Sequence, residues 1–102
     1  MARWKIKWSA NSLEEKLSIM EFWYRKNGNS SYARKLDAEI RQIVSHLRNF
    51  DKLGKKFKNE NLRYIFKGDF SIYYEISDEY VEILHIWDNR QNPDSLPLLT
   101  NE

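Results

Sequence analysis

The stretch 62–88, LRYIFKGDFSIYYEISDEYVEILHIWD, limits what this chain can fold into more than any other. It holds three apolar, aromatic and β-branched runs, broken by Lys67-Gly68-Asp69 and by Ser77-Asp78-Glu79. The breaks are short and polar, and Gly68 can take a positive φ, so the runs read as antiparallel strands joined by tight turns. A three-stranded meander follows. Along the middle run Phe70, Ile72, Tyr74 and Ile76 alternate with Ser71, Tyr73 and Glu75, which puts one set on a core face and the other on an open face. Such a sheet needs a cover on its apolar side.

The cover has to come from the first half of the chain. Trp4, Ile6 and Trp8 alternate with Arg3, Lys5 and Lys7, the pattern of a strand at a sheet edge, where lysines discourage unwanted pairing. Ser12 followed by Glu15 has capping-box spacing, and Leu13, Leu17, Met20 and Tyr24 then recur at helical intervals, with Phe22 and Trp23 widening the stripe. This predicts a first helix over 12–26 with that stripe on the core. Asn27-Gly28-Asn29-Ser30 ends it, and Ser30 or Ser31 can cap a second helix. There Ala33, Leu36, Ile40, Ile43, Val44 and Leu47 form one apolar stripe. The short loop between the helices makes an antiparallel hairpin that packs on the sheet. Residues 50–61 carry Lys52, Lys55, Lys56 and Lys58 around Gly54 without apolar periodicity and read as an exposed basic connection. Beyond Asn89, Pro93 and Pro97 argue against regular structure, while Leu96, Leu98 and Leu99 are free to dock on the body. The order strand, helix, helix, three strands is α+β, with the helices on one face of an antiparallel sheet.

With 102 residues, 41% of them hydrophobic and 15% aromatic, the chain has the apolar area for one core and is read as a single domain, 1–102. No cysteine is present, so disulfides and thiolate metal sites are excluded. The two histidines, His46 and His85, have no neighbour at ligand spacing, and neither metal nor cofactor is expected. No apolar run is long enough to cross a membrane, and the N-terminus lacks the apolar segment of a signal peptide, so a cytoplasmic protein with no membrane partner is expected. Net charge is only +2, so the distribution of charge matters more than its sum.

Phosphate-loop and nucleophile-elbow patterns are absent, and Glu14-Glu15 and Asp78-Glu79 read as a helix first turn and a reverse turn. What stands out is a basic constellation: Lys52, Lys55, Lys56 and Lys58 in the connection, Arg63 and Lys67 on one face of the first meander strand, and Arg90 past the last. Cations without carboxylates suit a phosphate-bearing partner, with Tyr64 or Tyr73 available for stacking. A lysine run in a loop is as often simply solvated. His85, three residues before Asp88, is placed to share a surface with Asp88 and Arg90.

An early strand, a helical hairpin with YARKL near the start of its second helix, then LRYIFKGDFSIYYEI and VEILHIWDNRQNP resembles the RelE/ParE superfamily of bacterial toxins from type II toxin–antitoxin pairs. The resemblance spans nearly the whole chain and rests on the order and spacing of these pieces. It implies a small α+β toxin restrained by a cognate antitoxin whose extended or helical tail wraps its surface. RelE-like members cut messenger RNA on the ribosome by driving the 2′-hydroxyl onto the adjacent phosphate, and ParE-like members poison DNA gyrase. On the first reading Arg63, His85 and Arg90 are the catalytic set, and Lys52, Lys55, Lys56, Lys58 and Lys67 bind the nucleic acid. Ser71 stands where the ribonucleases commonly carry an arginine, and the tail QNPDSLPLLTNE has neither tyrosine nor histidine. Ribosome-dependent cleavage is the leading expectation, with gyrase inhibition or a degenerate toxin that only binds its antitoxin as alternatives.

Overall fold

In a computed structural model, which describes residues 4–92 and 95–96, the meander forms as expected and two further strands extend it. The elements run β1 Lys5–Trp8, α1 Ala10–Asn27, α2 Ser31–Leu47, β2 Lys55–Phe57, β3 Asn59–Lys67, β4 Phe70–Ile76 and β5 Tyr80–Asp88. They build one α+β sheet in the order β1-β5-β4-β3-β2. All pairings are antiparallel except β1 on β5, where Lys5 to Trp8 run parallel to Tyr80 to Ile83. Gly68, at φ 60°, makes the β3–β4 turn in the backbone region that an L side chain avoids.

The period of two in β4 sets the core. Phe70, Ile72 and Tyr74 are fully buried, and they meet Leu36, Ile40, Val44 and Leu47 of α2 in one cluster with Ile83 and Ile86 of β5. Each such side chain contributes roughly 1.5–3 kcal/mol on burial. The α2 stripe therefore faces the sheet as its spacing predicts.

α1 differs from expectation. Its cap is Ser9, not Ser12: the Ser9 Oγ accepts from the Ser12 amide at 3.0 Å and donates to Leu84 O at 2.8 Å. The helix thus starts earlier, and its inward face carries Ser12 and Ile19, both buried, while Leu13, Leu17 and Tyr24 are 47%, 65% and 54% exposed. The helical period was legible; its phase relative to the sheet was set by polar bonds to β5. Gly28 closes α1 at φ 73°, its amide donating to Tyr24 O. Asn29 rather than Ser30 supplies the side-chain cap of α2, accepting from the Ser31 amide at 3.0 Å.

The basic connection also differs, because residues 55–57 pair with β3 as an edge strand. Gly54 permits it: a Cβ there would lie 2.6 Å from Tyr64 O, so only glycine lets the chain pass this close before turning into β2. Lys58, at φ 73°, forms the β2–β3 turn. Leu96 is buried as the tail composition allowed, and Leu98 and Leu99 lie outside the described residues.

Ile40 and Ile72 are both 0% exposed and belong to the same cluster. Replacing either by Ala should cost about 2–5 kcal/mol, read as a lower urea midpoint at unchanged slope. Equal midpoints for wild type and both variants would sink this account of the core.

Candidate functional site

β4 and its neighbours distribute the predicted site residues over both faces and both ends of the sheet. Arg63 pairs with Tyr74, so it faces the helices, while Tyr64 pairs with Tyr73 on the opposite face. Arg63 is 6% exposed and its guanidinium is a strut. Nη1 donates to Gly54 O at 2.9 Å, Nε to Glu60 O at 2.9 Å, and Nη2 to Glu60 Oε2 at 2.6 Å. Beside it the Tyr74 hydroxyl donates to Asp51 O and accepts from the Gly54 amide, both at 2.8 Å, so the two side chains pin the segment 51–54 to the sheet. Burial pushes the Tyr74 phenol above its ordinary range, only partly opposed by the Gly54 amide.

Glu60 collects the other cations of this end. Lys56 Nζ lies 3.3 Å and Lys52 Nζ 3.7 Å from its carboxylate, which Lys56 first, then Arg63 and Lys52, hold below the usual carboxylate range. The constellation read as cations without a carboxylate is thus centred on one. Lys55 lies outside this group, opposite Tyr64 on the other face. Lys67 pairs with Phe70 at the far end of β3.

His85 and Arg90 do not share a surface. Across β4–β5, His85 pairs with Tyr73 and Asp88 with Phe70, positions on opposite faces. His85 is 6% exposed, with Nδ1 2.9 Å from Glu15 Oε2 of α1, and Glu15 Oε1 accepts the Ile86 amide at 3.0 Å. The reading of Glu15 as a capping-box member is therefore corrected: it ties α1 to β5 past the end of β1, where no described residue continues the ladder. Arg90 makes a two-pronged bond to Asp88, with Nε 3.0 Å from Oδ1 and Nη2 on Oδ2, and its guanidinium lies 3.4 Å from the centre of the Phe22 ring. Arg63 and Arg90 are also far apart. Their registers fall on Tyr74 and just past Phe70, four residues along β4, or about 13 Å of strand before the width of the sheet is added.

Ser71 is 2% exposed and donates to Asn89 Oδ1 at 2.8 Å, while the Asn89 amide group donates to Gly68 O. The position is filled by a small side chain that stitches the β3–β4 turn to the exit of β5. Two arrangements were not legible in the sequence. One is the bond from the Tyr32 hydroxyl of α2 to Asp69 in the same turn, which drives the phenol up to about 12. The other is an aromatic cluster on the open face, where Tyr64 and Tyr73 stack at 5.6 Å and Phe57 meets both edge-on. Burial first, then Tyr64, raises the Tyr73 phenol.

A two-helix hairpin on one face of a five-stranded sheet, with Arg63 and His85 buried in polar contacts and Arg90 exposed beside Asp88, defines a small α+β domain. The family profile described as the ParE toxin of the type II toxin–antitoxin system parDE matches residues 6–93, and the chain belongs to that family. Among solved structures, a chain of the chromosomal ParDE TA system from P. aeruginosa superposes with a TM-score of 0.73 at 18% identity, covering 84% of this chain and 96% of that one. A chain of the E. coli DinJ-YafQ toxin–antitoxin complex gives 0.50 at 10% identity, covering 86% and 94%. Comparison with curated proteins gives no match.

Two outcomes test this geometry. Arg63→Ala should destabilise the fold by about 1.5–3 kcal/mol, the scale of hydrogen bonds to a charged group, and Arg63→Lys should recover little, because an ammonium cannot reproduce the fork. Urea unfolding reads both, and a midpoint unmoved by the alanine would show that the guanidinium is no strut. Tyr32 has its folded pKa raised to about 12 from 10.0, so the stability contributed by its bond to Asp69 is fully present below pH 10 and is lost as pH climbs toward 12. Absorbance titration of Tyr32→Phe should lack one late-ionising tyrosine, and that variant's stability should fall less steeply over this interval. Identical titration curves would refute the assignment.

Proposed function

We propose that this chain is the toxin of a type II pair and that it acts as a docking protein on DNA gyrase rather than by cutting messenger RNA. Membership of the ParE toxin family supports the first part and implies a cognate antitoxin as partner. The second part rests chiefly on the partners of the expected catalytic residues. Arg63 is held by Glu60, Arg90 by Asp88, and His85 contacts Glu15, each close enough for a direct polar bond.

Cleavage by the 2′-hydroxyl builds negative charge on a phosphorane, and a cation lowers that barrier only if its field is aimed at the vacant place where the charge will develop. A guanidinium already compensated by a carboxylate at hydrogen-bond distance leaves little field to offer. Arg63 is moreover almost inaccessible, and Ser71, buried under its bond to Asn89, supplies no charge in place of an arginine. Docking asks nothing of this kind. It needs shape, exposed apolar anchors and unsatisfied charge, and Leu13, Leu17, Leu53, Phe66 and Lys55 remain at the surface.

The purified chain should inhibit ATP-dependent supercoiling by gyrase, and messages from induced, growth-arrested cells should be intact by primer extension. Discrete breaks inside translated codons together with uninhibited supercoiling would overturn the reading in favour of ribosome-dependent cleavage. Expression without growth arrest would instead favour a toxin that only binds its antitoxin.

A further inference from the structure

The two edges of the sheet are protected unequally. On β1 the exposed positions are Lys5 and Lys7, charges that make the edge a poor template for another strand. At the other edge β2 covers β3 only as far as Tyr64, and no described residue continues the ladder along 65–67. That uncovered piece exposes an apolar side chain on the face away from the helices. Phe66 is 67% exposed, Leu53 is 51% exposed, and a recess of about 540 Å³ lies between them, lined by Leu53, Gly54, Lys55, Tyr64, Ile65 and Phe66.

The charge around the recess selects among occupants. Lys52 and Lys56 are engaged by Glu60, but Lys55 in its wall, and Lys67 at the end of β3 on the helix-facing side of the same edge, show no carboxylate partner among the described residues. A second copy of this chain would set Lys55 and Lys67 against their own counterparts. A phosphate backbone would use the lysines and leave Leu53, Phe66 and the open backbone edge unserved. An extended peptide answers all three features: its main chain pairs with residues 65–67, an apolar side chain enters between Leu53 and Phe66, and acidic side chains meet Lys55 and Lys67.

We infer that the uncovered edge of β3 is a docking site for an extended, acid-bearing apolar segment of the antitoxin, taken up as an added strand. The inference rests on the toxin reading, which supplies the partner. The probe is the protein encoded by the adjoining reading frame, co-expressed with the full chain and purified as a complex. Amide exchange at 65–67 should slow in the complex relative to the chain alone. Phe66→Glu, and independently Leu53→Glu, should weaken the complex by at least about tenfold, as loss of a central apolar anchor does, while leaving the melting temperature of the free chain unchanged. Lys55→Glu with Lys67→Glu should slow association, and the loss should shrink as salt rises. A complex with unprotected 65–67 and protection confined to Leu13, Leu17 and Tyr24 of α1 would overturn the inference while preserving the toxin reading. So would dimerisation of the free chain through this edge, seen by sedimentation and abolished by Phe66→Glu. If no complex forms at all, the toxin–antitoxin reading fails with it.

Discussion

The alternation of β4 is the constraint on which the rest of the molecule depends. Phe70, Ile72 and Tyr74 leave water completely on one face, and that requires a helical layer of matching area above them. Leu36, Ile40, Val44 and Leu47 of α2 provide it. β4 is central in the sheet, so its register also fixes β3 and β5, and with them every residue considered for function. A slip of one residue would exchange the two faces and expose the whole set.

Polar side chains then complete what the strands leave unfinished. Tyr74 and Arg63 fasten the segment 51–54, Glu15 replaces a missing strand partner along the end of β5, and Ser71 with Asn89 joins the β3–β4 turn to the chain's exit. Buried polar groups are costly unless satisfied, and here they satisfy backbone atoms that no ladder reaches. The same residue types that suit phosphate chemistry are equally suited to this work. In this structure their partners are carbonyls and carboxylates of the same chain.

A toxin that acts through its surface has different needs from one that acts through a reaction. Among the described residues, exposed apolar side chains lie on the outer face of α1, at Phe50 after α2, and at the edge of β3 beside β2.

The sequence by itself determined the meander, the helical hairpin and the α+β class, because these follow from periods of two and of about 3.6 and from Gly68 and Gly28 at positive φ, while the family resemblance came from the order and spacing of its motifs. It also determined which face of α2 is buried and which face of β4 meets the helices, although Ser71 on the other face of β4 is buried as well. Only the tertiary structure decided the phase of α1, where the Ser9 cap and Glu15 override an apolar stripe, and the pairing of 55–57, which has no periodic signal of its own. It alone decided the fate of Arg63, His85 and Arg90. The residue types are written in the chain, but Glu60, Glu15 and Asp88 reach them from three residues away, across 70 residues and from two residues away, and sequence spacing does not reveal which neighbour a side chain turns to.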